Sequence, residues 1–413
     1  MFEITAVCLV LTALLAYLNE RFIGLPIAIG VMAAALLLSL ALIGLDAAGI
    51  DFGLRQYEES LLRSIDFSTV LMQGMLSLLL FAGALHVDLS ELRAYRWPVA
   101  LLAVLSTLLS TLAVGFGTWF ALSWVGLELP LVFCLVFGAL ISPTDPIAVM
   151  GILKTAGAPK KLELVIAGES LFNDGVGVVL FSLLLGMLAS GATPSVGDGL
   201  LMLLHEAGGG LLFGLALGYL TFRLLKSVNS YQVEVLLTLA AVTGGYALAS
   251  RLHVSGPLAM VVAGLMIGNG GRRLAMSDIT RHYVDLFWEL IDEILNAVLF
   301  VLIGLEILLV TFTANTLAAA ALAMGVTLAA RALTVGLPVA MLPGVFRLPK
   351  GSGWVLTWGG LRGGISVALA LSLPLGPGRD IVLTLTYCIV VFSILCQGLT
   401  IGWVMRKAVT NRH

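Results

Sequence analysis

Charge is what this chain of 413 residues has least of: 11% of it is Asp, Glu, Lys or Arg, against about 25% in soluble domains. With 60% hydrophobic residues and a mean hydropathy of +1.07, it reads as a membrane protein. The net charge of -2 gives no sign of nucleic-acid binding. Met1 to Leu18 has no basic n-region and no A-x-A-like cleavage site, so it reads as a first membrane helix rather than a signal peptide. The four cysteines, Cys8, Cys134, Cys388 and Cys396, fall inside apolar runs without C-x-x-C spacing. They read as small core residues. The five histidines lie near expected loops or ends, and none is assigned as a ligand or pH sensor.

What remains is apolar and segmented. Thirteen runs approach the ~20 residues that a spanning helix needs. Their limits are 3–18, 24–45, 67–86, 97–125, 129–153, 162–190, 200–225, 231–250, 254–268, 286–311, 314–342, 354–375 and 380–405. Only 46–66 and 270–285 are sizeable polar connections, the second suited to an amphipathic interfacial helix with Arg272, Arg273, Arg281 and His282 at the headgroups. With the N-terminus outside and the C-terminus in the cytoplasm, cytoplasmic segments carry sixteen Lys/Arg and outer loops four. That asymmetry obeys the positive-inside rule, and an even helix count would scramble it.

Two segments are faulty as helices. The fifth holds Ser142-Pro-Thr-Asp145-Pro146, a carboxylate between two prolines. Proline lacks an N–H and clashes with the preceding turn, and it disfavours the α conformation at the residue before it. The twelfth holds Trp358-Gly-Gly-Leu-Arg362-Gly-Gly, a charge among helix-weakening glycines. Seven helices apart, these breaks imply two inverted six-helix repeats, segments one to six and eight to thirteen, with the seventh as linker. Paired interrupted helices in inverted halves mark the binding site of a secondary transporter.

Charges at membrane depth are costly and normally face a cavity, an ion path or a partner. Asp145, freed carbonyls near it, and the Thr144 and Ser142 hydroxyls offer the oxygen donors that hard cations prefer. The plainer alternative is a proline kink whose Asp caps the next half-helix. In segment six, Ser170 and Asp174 share one helical face, and Glu169 and Asn173 share the neighbouring one. Asn173 reads equally as interhelical glue. Gly175 and Gly177 thin this helix for close approach. Arg331 needs an acid from another helix; Glu169 is the candidate, with Glu306 and Glu289 competing. Arg362 is placed to neutralise helix-end carbonyls. Glu289, Asp292 and Glu293 form either an acidic funnel or a solvated helix end.

Ser142-Pro-Thr-Asp-Pro-Ile-Ala-Val149, Gly168-Glu-Ser-Leu-Phe-Asn-Asp174 and Gly359-Gly-Leu-Arg-Gly-Gly364 together resemble the NhaP/NHE-type cation/proton antiporters over essentially the whole chain. The resemblance implies an all-α polytopic protein of the NhaA-like antiporter fold, with thirteen transmembrane helices and crossing broken helices five and twelve. It implies a homodimer with a dimerisation domain (1–94 and 229–312), a linker helix (196–228) and a mobile core (95–195 and 313–413). By position, Asp174 and Asp145 bind the cation, assisted by Ser170 and the Thr144 carbonyl. Asn173 holds the site open, and Glu169 pairs with Arg331. An Asn-Asp pair marks the electroneutral branch. Ala82 departs from the pattern, since many relatives have a glutamate there.

The expected function is exchange of a monovalent cation, Na⁺ or Li⁺, for a proton across the cell (inner) membrane. The expected protein is not an enzyme, has no cofactor, and has the ions and the bilayer as partners. A sodium-coupled organic-anion symporter is the alternative. An intramembrane aspartyl protease lacks its Gly-x-Gly-Asp-like motif.

Overall fold

A backbone in hydrocarbon must satisfy its own N–H and C=O groups, which leaves helices as the natural form for apolar runs like these. The computed structural model of the chain describes residues 2–47, 74–190, 201–202, 204–305, 307 and 312–409. Every regular element among them is helical. Glu306 and the polar connection beyond residue 47 lie outside the described residues.

The principal helices are α1 (Phe2–Leu18), α2 (Ile27–Ala47), α3 (Leu76–Leu85), α4 (Thr107–Ser123), α5 (Leu131–Ile141), α6 (Ile147–Thr155), α7 (Lys160–Ser190) and α8 (Gly209–Leu225). They continue as α9 (Tyr231–Arg251), α10 (Gly256–Met266), α11 (Asp278–Leu305), α12 (Ala314–Arg331), α13 (Ser352–Trp358), α14 (Gly364–Leu371), α15 (Pro377–Phe392) and α16 (Gly398–Ala408). Eight helices among the described residues are long and apolar enough to cross a membrane. The half-helices α5, α6, α13 and α14 are each too short to span alone. Large apolar side chains such as Phe120, Leu212 and Leu236 are exposed on the outside, as a lipid-facing surface requires.

Two boundaries differ from those expected. In place of an interfacial helix over 270–285, Arg272–Leu274 makes a single turn and α11 starts at Asp278. Ser277 and Thr280 explain the start: the Thr280 N–H donates to Ser277 Oγ (3.3 Å) and the Ser277 N–H to Thr280 Oγ1 (3.1 Å). Arg272 then pairs with Asp285 on the new helix. The fourth segment also begins early, at Leu89, because the Asp88 carboxylate caps the Ser90 and Glu91 N–H groups.

Packing separates two groups of helices. α2 lies along α11, α8 against α10, and α10 against α3. On the other side α4 packs on α5 and on α12, while α12 and α14 pack on α15. Close approach in the second group depends on Gly138, where a Cβ would strike the Thr111 carbonyl of α4. The long α7 belongs mainly to this second group and also reaches α10 of the first.

Candidate ion site

The proline-flanked break runs from Ser142 to Pro146, between α5 and α6, and the glycine-rich break from Gly359 to Gly363, between α13 and α14. The breaks cross. The Asp145 N–H donates to the Leu361 carbonyl at 2.8 Å, so extended backbone from one break is satisfied by the other. Gly363 makes room for the acid: a Cβ there would collide with the Asp145 carboxylate. That carboxylate therefore sits beside the N-terminal end of α14, the end of a helix that favours negative charge.

Each half-helix that ends at a break has its carbonyls met by an arginine. Arg362, only 2% exposed, donates through one nitrogen to the Ser142 and Pro143 carbonyls at 2.8 and 2.9 Å. Its own backbone N–H goes to Ser393 Oγ at 2.8 Å. Arg331, from the C-terminal end of α12, donates to the Leu356 carbonyl of α13 at 3.1 and 3.3 Å. Arg331 also forms a buried ion pair with Glu169 on α7. Of its other candidate partners, Glu289 is exposed on α11 and Glu306 is outside the described residues.

Helix α7 supplies the rest. Gly177 lets it touch the first break, since a Cβ at that position would strike the Pro143 ring. Asn173, fully buried, donates to Thr144 Oγ1 at 2.9 Å and accepts from the Thr144 N–H at 3.3 Å. The Ser170 and Thr144 hydroxyls lie 3.0 Å apart. Thr144 is thus held from two positions one turn apart on α7. Ser142 is differently committed. Its hydroxyl donates to Gly138 O at 2.6 Å and lies 3.1 Å from Ser110 Oγ, away from the acids.

Asp145 and Asp174 meet at one cavity of about 150 Å³, which Thr144 and Ser366 also line. Asp145 is the like-charged neighbour of Asp174. Ser170 and Asn173 are not in the cavity wall; they touch it through Thr144. Ala82 is fully buried and Gly83 takes the wall position next to it. Besides Ser366, two polar wall residues were not assigned to the site from sequence, Asp292 and Asn296 of α11. The signal was their four-residue spacing, which puts them on one face, whereas Glu289 and Glu293 are exposed. No group of three or more His, Cys, Asp or Glu placed to hold a metal occurs among the described residues. What the cavity offers is carboxylate and hydroxyl oxygen, the donor set of hard cations.

Fold and site define a class: polytopic helical membrane proteins in which two interrupted helices cross beside buried carboxylates. The chain belongs to the sodium/hydrogen exchanger family, whose transmembrane model matches residues 10–407. It is 55% identical over 412 residues to the Na⁺/H⁺ antiporter NhaP of Pseudomonas aeruginosa, covering 98% of this chain and 97% of that one. It is 35% identical over 409 residues to the Na⁺/H⁺ antiporter NhaH of Halobacillus dabanensis, covering 93% and 96%. These relatives are named as transporters, not enzymes. In fold it matches the solved structure of the sodium proton antiporter MjNhaP1 from Methanocaldococcus jannaschii at pH 8, with a TM-score of 0.77 at 21% identity over 98% of this chain and 97% of that one.

Proposed function

We propose that this protein exchanges a monovalent cation, Na⁺ or Li⁺, for a proton, one for one, with Asp174 and Asp145 as the shared site. The observation that carries the reading is their placement, Asp145 in the first break and Asp174 on α7, at one cavity beside the crossed breaks. A carboxylate there holds either a proton or part of a cation's ligand shell, so loading one ion expels the other. A site filled by either ion carries one negative charge fewer than the empty one, so it crosses the bilayer at a smaller desolvation cost. The larger penalty on the empty site suppresses uncoupled return. Asn173 steadies Thr144 without adding a further charge beside Asp174, which suits electroneutral exchange. Thr144 contributes oxygen at the cavity, Ser170 holds Thr144 through their hydroxyl contact, and the Glu169–Arg331 pair and Arg362 hold the half-helix ends.

Thirteen spans in two inverted repeats account for the two breaks, each with a guanidinium at its half-helix end. The packing groups support a dimerisation domain at 1–94 and 229–312 and a core at 95–195 and 313–413, and 196–228, whose α8 packs on α10 of the first group, is the linker between them. The core slides against a homodimeric scaffold. Cavity-wall residues run from Asp174 toward Ala167 and Val87, the ends that carry Lys160, Arg93 and Arg272. Under the positive-inside rule that end is cytoplasmic, with the N-terminus outside the inner membrane, and the conformation is inward-facing. Organic-anion symport gains nothing here, because carboxylate walls repel an anion. The names of the relatives support sodium as the cargo.

The test is a pH-sensitive dye in proteoliposomes holding a proton gradient. Na⁺ or Li⁺ added outside should dissipate the gradient, and clamping the membrane potential should leave the rate unchanged. Undiminished Na⁺ uptake after Asp174→Ala would contradict the reading.

A further inference from the structure

We propose that Asp292 is a third carboxylate of the cation path, carried on the wall facing Asp145 and Asp174 and used from one side of the membrane only. The proposal rests on the exchange reading above and adds to it a residue and a sidedness. Asp292 lies midway along α11, where three acids occur within five residues. Glu289 and Glu293 point outward and are exposed, while Asp292 is half-buried and lines the cavity. It is not part of a uniformly solvated helix end.

Its carboxylate is held in place. Asn296, one turn on and 5% exposed, donates to Asp292 Oδ1 at 3.1 Å and to its backbone carbonyl at 2.8 Å. Asn296 lines the same cavity. Asp145 is the like-charged neighbour across the space. Among the described residues lining this cavity are three Asp and no Lys or Arg. Carboxylates gathered in one pocket raise the local concentration of a mobile cation.

Placement supplies the sidedness. Asp145 and Asp174 belong to the break and to α7, whereas α11 packs along α2, α3 and α9 in the other group of helices. When the first group moves relative to the second, the distance from Asp292 to the ion site changes. Asp292 therefore serves the ion in the conformation that has this cavity, and loses contact with it in the other.

The experiment compares Asp292→Asn and Asp292→Glu with wild type in everted and right-side-out vesicles, reading Na⁺ KM and maximal rate in each. For Asp292→Asn, KM should rise about fivefold in everted vesicles and less than about twofold in right-side-out ones, with maximal rate nearly kept. Asp292→Glu should recover most of the loss. An equal rise on both sides, an unchanged KM on both, or a fallen maximal rate at constant KM would overturn the proposal. Na⁺ protection of the detergent-purified protein against heat, which needs no transport, separates the two readings. If wild type is protected but exchanges nothing, and Asp292→Asn needs about fivefold more Na⁺, exchange fails and Asp292 stands. If wild type exchanges and Asp292→Asn matches it in both assays, only the Asp292 proposal fails.

Discussion

The two interrupted helices solve the same problem with opposite chemistry. Between α5 and α6 the interruption is made by Pro143 and Pro146 and leaves a carboxylate, Asp145. Between α13 and α14 it is made by glycines and leaves a guanidinium, Arg362. Proline removes donors and fixes the chain; glycine removes side chains and admits a neighbour. Each break then repairs the other. Arg362 meets the carbonyls that end α5, Leu361 accepts the Asp145 N–H, and Gly363 leaves the space that the Asp145 side chain fills. The lesson is a division of labour: the proline break presents the charge that works, and the glycine break presents the charge that holds.

That division can be broken in order of expected effect. Asp145→Asn should reduce exchange to the level of empty liposomes while the thermal midpoint of the purified protein stays within a few degrees of wild type. Arg362→Gln should do the reverse in kind. Two buried carbonyls lose a charged donor at about 1–3 kcal/mol each, so the midpoint falls sharply and Arg362→Lys restores only part of it. A rate loss in Arg362→Gln at unchanged stability would move Arg362 into the working half. Gly363→Ala displaces the Asp145 carboxylate; a shift of about 1.4 kcal/mol in cation binding would show as a tenfold higher Na⁺ KM. The smallest effect is expected from Ser393→Ala, which removes the partner of the Arg362 N–H. It should cost about 1 kcal/mol in thermal unfolding and leave Na⁺ KM unchanged.

Both breaks and both central aspartates were legible in the sequence because each is a local offence: proline or clustered glycine in a helix, or a charge in an apolar run. Partners were less so, because a partner is set by the rotation of one helix against another. Arg331 visibly needed an acid, with Glu169 preferred and Glu289 and Glu306 competing, and packing places Glu169 beside it. Glu289, Asp292 and Glu293 formed one acidic group in sequence; a rotation of about 60° to 100° around α11 separates the acid in the cavity from the two outside it. Ser142 counted as an oxygen for the cation, but its hydroxyl is taken up by α5's own carbonyl and by Ser110. The start of α11 was missed because the Ser277–Thr280 cap lies in a polar stretch, where hydropathy carries no signal.

Calorimetry of Na⁺ binding to purified protein, repeated in buffers of different ionisation enthalpy, tests the central claim most directly. Binding should release about one proton per Na⁺ in wild type and none in Asp174→Asn. Sodium bound by wild type without any proton leaving would mean that the two ions do not share the carboxylates, and the exchange mechanism would be wrong.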